Sequence, residues 1–350
     1  MPHTLEELLH LRHPIVLGPF GGLSSVELVA TVSDAGGLGS YGLYGYAAER
    51  ILAVGRELHA ATSQPFAMNV WLPLASDPGA PAASFADAAC AVAPLYAEAG
   101  ATLPEAPPDD TLPSAEEQWS AVLEVAPAAV SCVYGVPSAG MVRAAHERSV
   151  MVIGTATTVA EAVALEAGGV DAVVATGFEA AGHRVSFLRA AEESLVGTIA
   201  LIPQVVDAVG VPVIAAGGIA DRRGVAAAFA LGADGVQVGT AFLQTRQSAA
   251  APAHRHRIRS LPADGTVLTR AMSGRLARGV ANRAVREIEA VGAIAPFPVQ
   301  NQLTGGFRAE AARRDQGELL SLWSGQGAAL AREHDARRVF EELRAGVPVG

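Results

Sequence analysis

The chain has 350 residues, half of them hydrophobic and 17% charged, which excludes disorder over most of its length. All 25 basic residues are Arg, set against 35 acidic ones, for a net charge of −10 with His neutral. The absence of Lys removes Schiff-base, pyridoxal-phosphate and Walker A chemistry, and the acidic balance disfavours a large nucleic-acid footprint. The Arg-only, Ala-rich composition reads as the mark of a GC-rich genome. Two cysteines, Cys90 and Cys132, point to a reducing compartment without a disulfide framework. No signal-like segment and no apolar run of about 18 residues is present, so a soluble, cytoplasmic protein that neither enters a membrane nor binds nucleic acid is expected.

Short apolar, β-branched runs at 15–17, 38–41, 66–70, 129–133, 150–153, 171–175, 213–215 and 235–238 predict eight strands. Several are apolar throughout, as strands buried on both faces should be. Helical signals separate them. Ser24-Ser25-Val26-Glu27 and Thr158-Val159-Ala160-Glu161 read as capping boxes, with stops at Gly36-Gly37 and Gly168-Gly169. Asp221 caps a stretch that ends at Gly232. The alternation predicts an α/β fold, a (β/α)8 TIM barrel formed by residues 1–245 and 315–350.

Two regions break this pattern. Residues 72–115 hold Pro73, Pro78, Pro81, Pro94, Pro104, Pro107, Pro108 and Pro113, with one helix expected over 83–99. Residues 246–314 are Arg-rich with weak strand signals and are expected to form a smaller cap or lid, after which 321–344 return to helix.

Barrel active sites lie on the loops that follow the strands. After the first strand comes Gly18-Pro19-Phe20-Gly21-Gly22, suited either to a flat ligand or to an ordinary turn. Asn69 ends the third strand, where its amide either reads a ring edge or is satisfied by backbone. Thr176-Gly177-Phe178-Glu179-Ala180-Ala181-Gly182-His183-Arg184 follows the sixth strand, and His183 there suits an anion contact or a proton transfer. Gly217-Gly218 and Gln237-Val238-Gly239-Thr240 end the seventh and eighth strands, as phosphate loops do in many barrels. Other features carry less. Gly37-Leu38-Gly39-Ser40-Tyr41-Gly42 has dinucleotide spacing but enters a strand instead of leaving one. His254-Arg255-His256-Arg257 reads as a solvated lid face, Cys132 as an inert buried thiol, and no metal site is expected.

Several stretches together carry a resemblance: IGTATTV, EAVALEAGGVDAVVATGFEAAGHR, LVGTIALIPQVVDAVGVPVIAAGGIADRRG, GADGVQVGTAFL, SGRLARGVANR, PFPVQNQLT and SLWSGQG. They resemble nitronate monooxygenases of the class I bacterial type, over nearly the whole chain. The resemblance implies an FMN-dependent barrel with a cap that carries out oxidative denitrification of nitronates or nitroalkanes with O2. It implies a catalytic role for His183 beside the flavin. Asn69 matches the flavin-ring contact, and Gly218 with Gln237, Val238, Gly239 and Thr240 matches the phosphate contacts. Pro19, Phe20, Gly21, Thr176, Ala181, Gly182 and Gly217 complete the expected cofactor site. The family usually has Gln at Thr176, Gly at Ala181, Met-Ala-Gly at Phe20-Gly21-Gly22 and aromatic residues at Cys132. A homodimer is one expectation for the assembly. Two alternatives share the scaffold: an FMN-dependent NAD(P)H reductase of enoyl-acyl-carrier-protein or quinone type, and a non-catalytic phosphate-ligand or FMN-binding module.

Overall fold

A computed structural model describes residues 4–74, 77, 79–107 and 112–348. Pro78 and Pro108 lie outside these described residues. The eight expected strands all form: β1 (Ile15–Leu17), β2 (Gly39–Gly42), β3 (Phe66–Trp71), β4 (Ala129–Val133), β5 (Met151–Ala156), β6 (Ala172–Thr176), β8 (Val213–Ala216) and β9 (Gly235–Val238). They pair in parallel in the order β1-β9-β8-β6-β5-β4-β3-β2. Leu17 N donates to Leu38 O and Leu38 N to Ile15 O, both at 2.9 Å, which joins the two edges and brings the sheet close to a barrel. Gly39–Gly42, the dinucleotide look-alike, is strand β2 itself.

Strand side chains alternate, and apolar residues fill the lower part of the barrel axis. Val16, Ala67, Ala129, Ile153, Ala172 and Ile214 meet Leu5 and Leu9 of the helix Leu5–Leu9, which closes the N-terminal mouth. The opposite faces of the strands pack on the surrounding helices, including Ala336–Arg344, which returns onto the helices Val26–Ala35 and Arg222–Ala230. Among the described residues no helix is long and apolar enough to cross a membrane.

Some local expectations shift. The N-cap of Val26–Ala35 is Ser25, because Ser24 Oγ is engaged instead with Phe20 N, Phe20 O and Gly42 N. Thr158 does cap its helix, but Glu161 does not reach back to it. Its buried carboxylate accepts from Thr157 N, Thr157 Oγ1, Phe187 N and Leu188 N, tying the loop after β6 to the end of β5. Helix over 321–344 is shortened to Ala336–Arg344, because Gly325 and Gly327 fold against the barrel mouth.

A second sheet was not expected. β10 (Thr266–Thr269) and β11 (Ala277–Val280) form an antiparallel pair, and β7 (Gly182–His183) adds to β11. Around this ribbon the helices Pro252–Ser260, Arg283–Val291 and Val299–Arg313 share an apolar cluster with the helix Phe85–Ala99.

Candidate active site

Asn69 and Trp71 of β3, Ser131 and Val133 of β4, Thr155 of β5, Thr176 of β6, Ala216 of β8 and Gln237 of β9 all point to the barrel axis at its C-terminal end. They follow from one rule, since residues two apart on a strand share a face. Together they floor a cavity of about 410 Å³, within the range of small-molecule sites. Pro19, Phe20, Gly21, Asn69, Thr176, Ala181, Gly182, His183, Gly217, Gly218, Gln237, Gly239 and Thr240 all line it. Val238 does not. It alternates with Gln237 and is fully buried in the layer between barrel and helices. Cys132 faces the same layer, where burial pushes its thiol up to about 12 and leaves it inert.

The polar floor is preset. Asn69 Nδ2 donates to Ser131 Oγ at 3.0 Å and to Ser131 O at 3.3 Å, which leaves Asn69 Oδ1 as an acceptor toward the cavity. On one wall, Gly217 and Gly218 hold left-handed φ values of +108° and +72°. A Cβ on Gly217 would lie 2.8 Å from Thr198 Oγ1, so only glycine fits there. Gly325 N donates to Thr240 Oγ1 at 3.0 Å, and a Cβ on Gly327 would meet Gly218 O at 2.6 Å. Three glycine-bearing loops therefore converge on one corner, the third being Ser324-Gly325-Gln326-Gly327, whose part in the site the strand-by-strand reading missed. Arg184, buried beside His183, spends its donors on Thr176 O, Thr157 O and Ser194 O.

His183 stands across from these loops. Its strand β7 pairs with β11, and its Nε2 lies 2.9 Å from Ser273 Oγ. Aromatic rings crowd it: Trp71 at 5.1 Å, Trp323 at 5.5 Å and Phe297 at 6.4 Å between centroids. Tyr44 lies tilted against Trp71 at 4.5 Å between centroids. Arg275 lies over the rings of Tyr134 and Phe297 at 4.4 and 4.1 Å. Arg308 also lines the cavity, donating to Asn301 Oδ1 and Ser321 Oγ while its Nε has no partner. Neither Arg275 nor Arg308 forms an ion pair with a carboxylate among the described residues. Burial, with these two cations nearby, pushes His183 down to about 3, so the ring is neutral at pH 7. Two cations without a carboxylate partner beside this ring suit an anionic ligand.

Among the described residues no group of His, Cys, Asp and Glu could hold a metal ion. His254, expected on a solvated face, is instead buried, and its Nε2 bonds Trp323 O at 2.9 Å. That contact supports one of the rings against His183, and desolvation pushes His254 down to about 4.

A family model described as nitronate monooxygenase matches residues 3–346. A Staphylococcus aureus (strain MSSA476) protein named "Probable nitronate monooxygenase" is 37% identical over 347 residues, covering 97% of this chain and 96% of that protein. A solved nitroalkane oxidase from Streptomyces ansochromogenes superposes with a TM-score of 0.88 at 35% identity, over 97% of this chain and 96% of that one. FabK from Thermotoga maritima is less similar, with a TM-score of 0.75 and 28% identity over 98% and 95%.

Proposed function

The chain belongs to the nitronate monooxygenase family, and from that premise we propose that its cavity holds FMN and carries out oxidative denitrification of alkyl nitronates with O2. The observation that carries this reading is the pairing, in one cavity, of a glycine cradle with a neutral His183 facing uncompensated cations. The family's chemistry is flavin-dependent, and the donor set fits a phosphorylated flavin. In a chain without Lys, and with Arg184 already committed, backbone amides at Gly217-Gly218 and Gly239-Thr240 would hold the phosphate. The Thr240 hydroxyl, which accepts from Gly325 N, keeps its own hydrogen for a ligand oxygen. Asn69 Oδ1 and Gln237 would meet the polar edge of the ring, with Phe20, Thr176, Ala181 and Gly182 bordering it.

Bound FMN supplies the electron-accepting and O2-reducing chemistry that side chains lack. The chain's own residues do the rest. Arg275 and Arg308 favour a substrate that arrives as an anion, and the rings of Trp71, Phe297 and Trp323 exclude water around it. For a neutral nitroalkane, His183 first removes the α-proton. Residues 246–314 act as the cap that completes this enclosure. Two unpaired cysteines, one buried, suit a cytoplasmic setting.

Oxygen consumption with a panel of nitronates, on protein of known flavin content, tests the reading. His183→Asn is expected to lose activity on neutral nitroalkanes about 100-fold or more and on preformed nitronates much less. Equal losses on both would remove the proton-abstraction role. The likeness to FabK supports one rival, an NAD(P)H reductase. Anaerobic mixing with NADH or NADPH separates the two, since rapid flavin bleaching is expected only of the reductase.

A further inference from the structure

We propose that Ser273 is a positioning residue for His183, holding the imidazole with its proton on Nε2 so that Nδ1 is the nitrogen open to a ligand. The inference deepens the reading of His183 as a proton acceptor and rests on it for its kinetic consequence, though not for the tautomer itself.

Ser273 Oγ lies 2.9 Å from His183 Nε2 and 3.2 Å from Arg275 O. A carbonyl can only accept, so the single hydroxyl hydrogen goes to Arg275 O. Ser273 Oγ must then accept from His183, which places a hydrogen on Nε2. The reverse arrangement, with Ser273 donating to Nε2, forfeits the bond to Arg275 O. Arg275 N, directed at Ser273 Oγ at 3.4 Å, further marks this oxygen as an acceptor. The groups facing the ring, Arg275 and Arg308, are cationic and keep it neutral, so the variable left to the protein is which nitrogen carries the proton.

Both ends of the contact are fixed. The turn that carries Ser273 is clasped by Arg270, which bonds Gly274 O and pairs with Asp77 and Glu192. Just before Ser273, Gln300 Nε2 holds Ala271 O at 2.7 Å and Thr304 Oγ1 holds Met272 O at 2.6 Å. Gly274 sits at φ +83°, where a Cβ would meet Ala295 O at 2.6 Å, so the turn is pressed against the 295–297 backbone. His183 is held by its pairing with Ala277, and its neighbour Arg184 donates its amide to Leu276 O at 2.8 Å. When a neutral nitroalkane is bound, its Cα–H bond breaks and the proton passes to Nδ1. The electron pair moves into the nitro group as the nitronate, whose negative charge, formed beside the ring and the two arginines, offsets the positive charge the imidazolium gains, and Nε2–H stays on Ser273.

The test uses full-length, flavin-loaded protein labelled with 15N-histidine, the His183 signals being assigned by their loss in His183→Asn. Wild type is expected to show a protonated Nε2 and an unprotonated Nδ1. Ser273→Ala should give a mixture of tautomers, with kcat/KM for nitroethane falling about tenfold or more and kcat/KM for preformed ethyl nitronate changing far less. Ser273→Thr, which keeps the hydroxyl, should restore both. A wild-type spectrum with the proton on Nδ1 overturns the proposal without any variant. So does a Ser273→Ala spectrum unchanged from wild type, and Ser273→Cys provides the same comparison if the alanine variant does not accumulate. If nitroethane is not consumed by wild type, the proton-acceptor reading fails, while the 15N spectra still decide what Ser273 does.

Discussion

His183 and His254 are both held neutral by burial, well below the ordinary value of 6.5. Between that value and their folded values of about 3 and 4, the unfolded chain binds more protons than the native one. Stability is therefore fully present above pH 6.5 and declines as pH falls toward 4, by on the order of 1.4 kcal/mol per pH unit for each group. Thermal midpoints measured from pH 7 to 4.5 should fall less steeply for His254→Gln than for wild type. Glu161 is buried too, and its side-chain oxygens accept from four donors of Thr157, Phe187 and Leu188. Glu161→Ala would leave those donors unpaired and is expected to cost about 2–4 kcal/mol in denaturant unfolding. Because it anchors the loop two residues beyond Val185, activity should drop with it, chiefly in kcat/KM.

Among the elements, the loops that end β8 and β9 gain their shape from glycine and from each other. Gly217 combines a left-handed backbone with a neighbour, Thr198 Oγ1, that a side chain would strike. Gly217→Ala is expected to weaken flavin uptake by about tenfold or more, read by equilibrium dialysis and flavin fluorescence. Unchanged uptake would mean that the phosphate lies elsewhere. The helices were easier to find than their caps. Thr158 and Asp221 cap as their positions suggest, but Ser24 is drawn away by the Phe20 loop and Glu161 by the loop after β6. In each case a tertiary partner outcompeted the local one.

Across the whole molecule, what could be read from sequence was what repeats. Eight apolar runs announced eight strands, the third of them carrying Asn69, and the loops after them located His183 and the glycine corner. The remainder of the site comes from chain positions that only closure brings together: Tyr44, Ser273, Arg275, Phe297, Arg308 and Trp323. Trp71 and Ser131 could have been found by stepping two residues along strands already identified. Phe297 and Arg308 carried no such signal, since nothing in their neighbourhood says which face meets the barrel. β7 was invisible for a simpler reason: two residues, Gly182 and His183, have no pattern. That short strand has a practical consequence for engineering. The imidazole is stitched on one side to the barrel through β6 and Arg184, and on the other to the Ala277–Arg278 backbone. Neither half of the chain can be exchanged for that of a relative without also transplanting the seam, and a chimera joined between residues 184 and 277 would inherit a histidine aligned to the wrong partner.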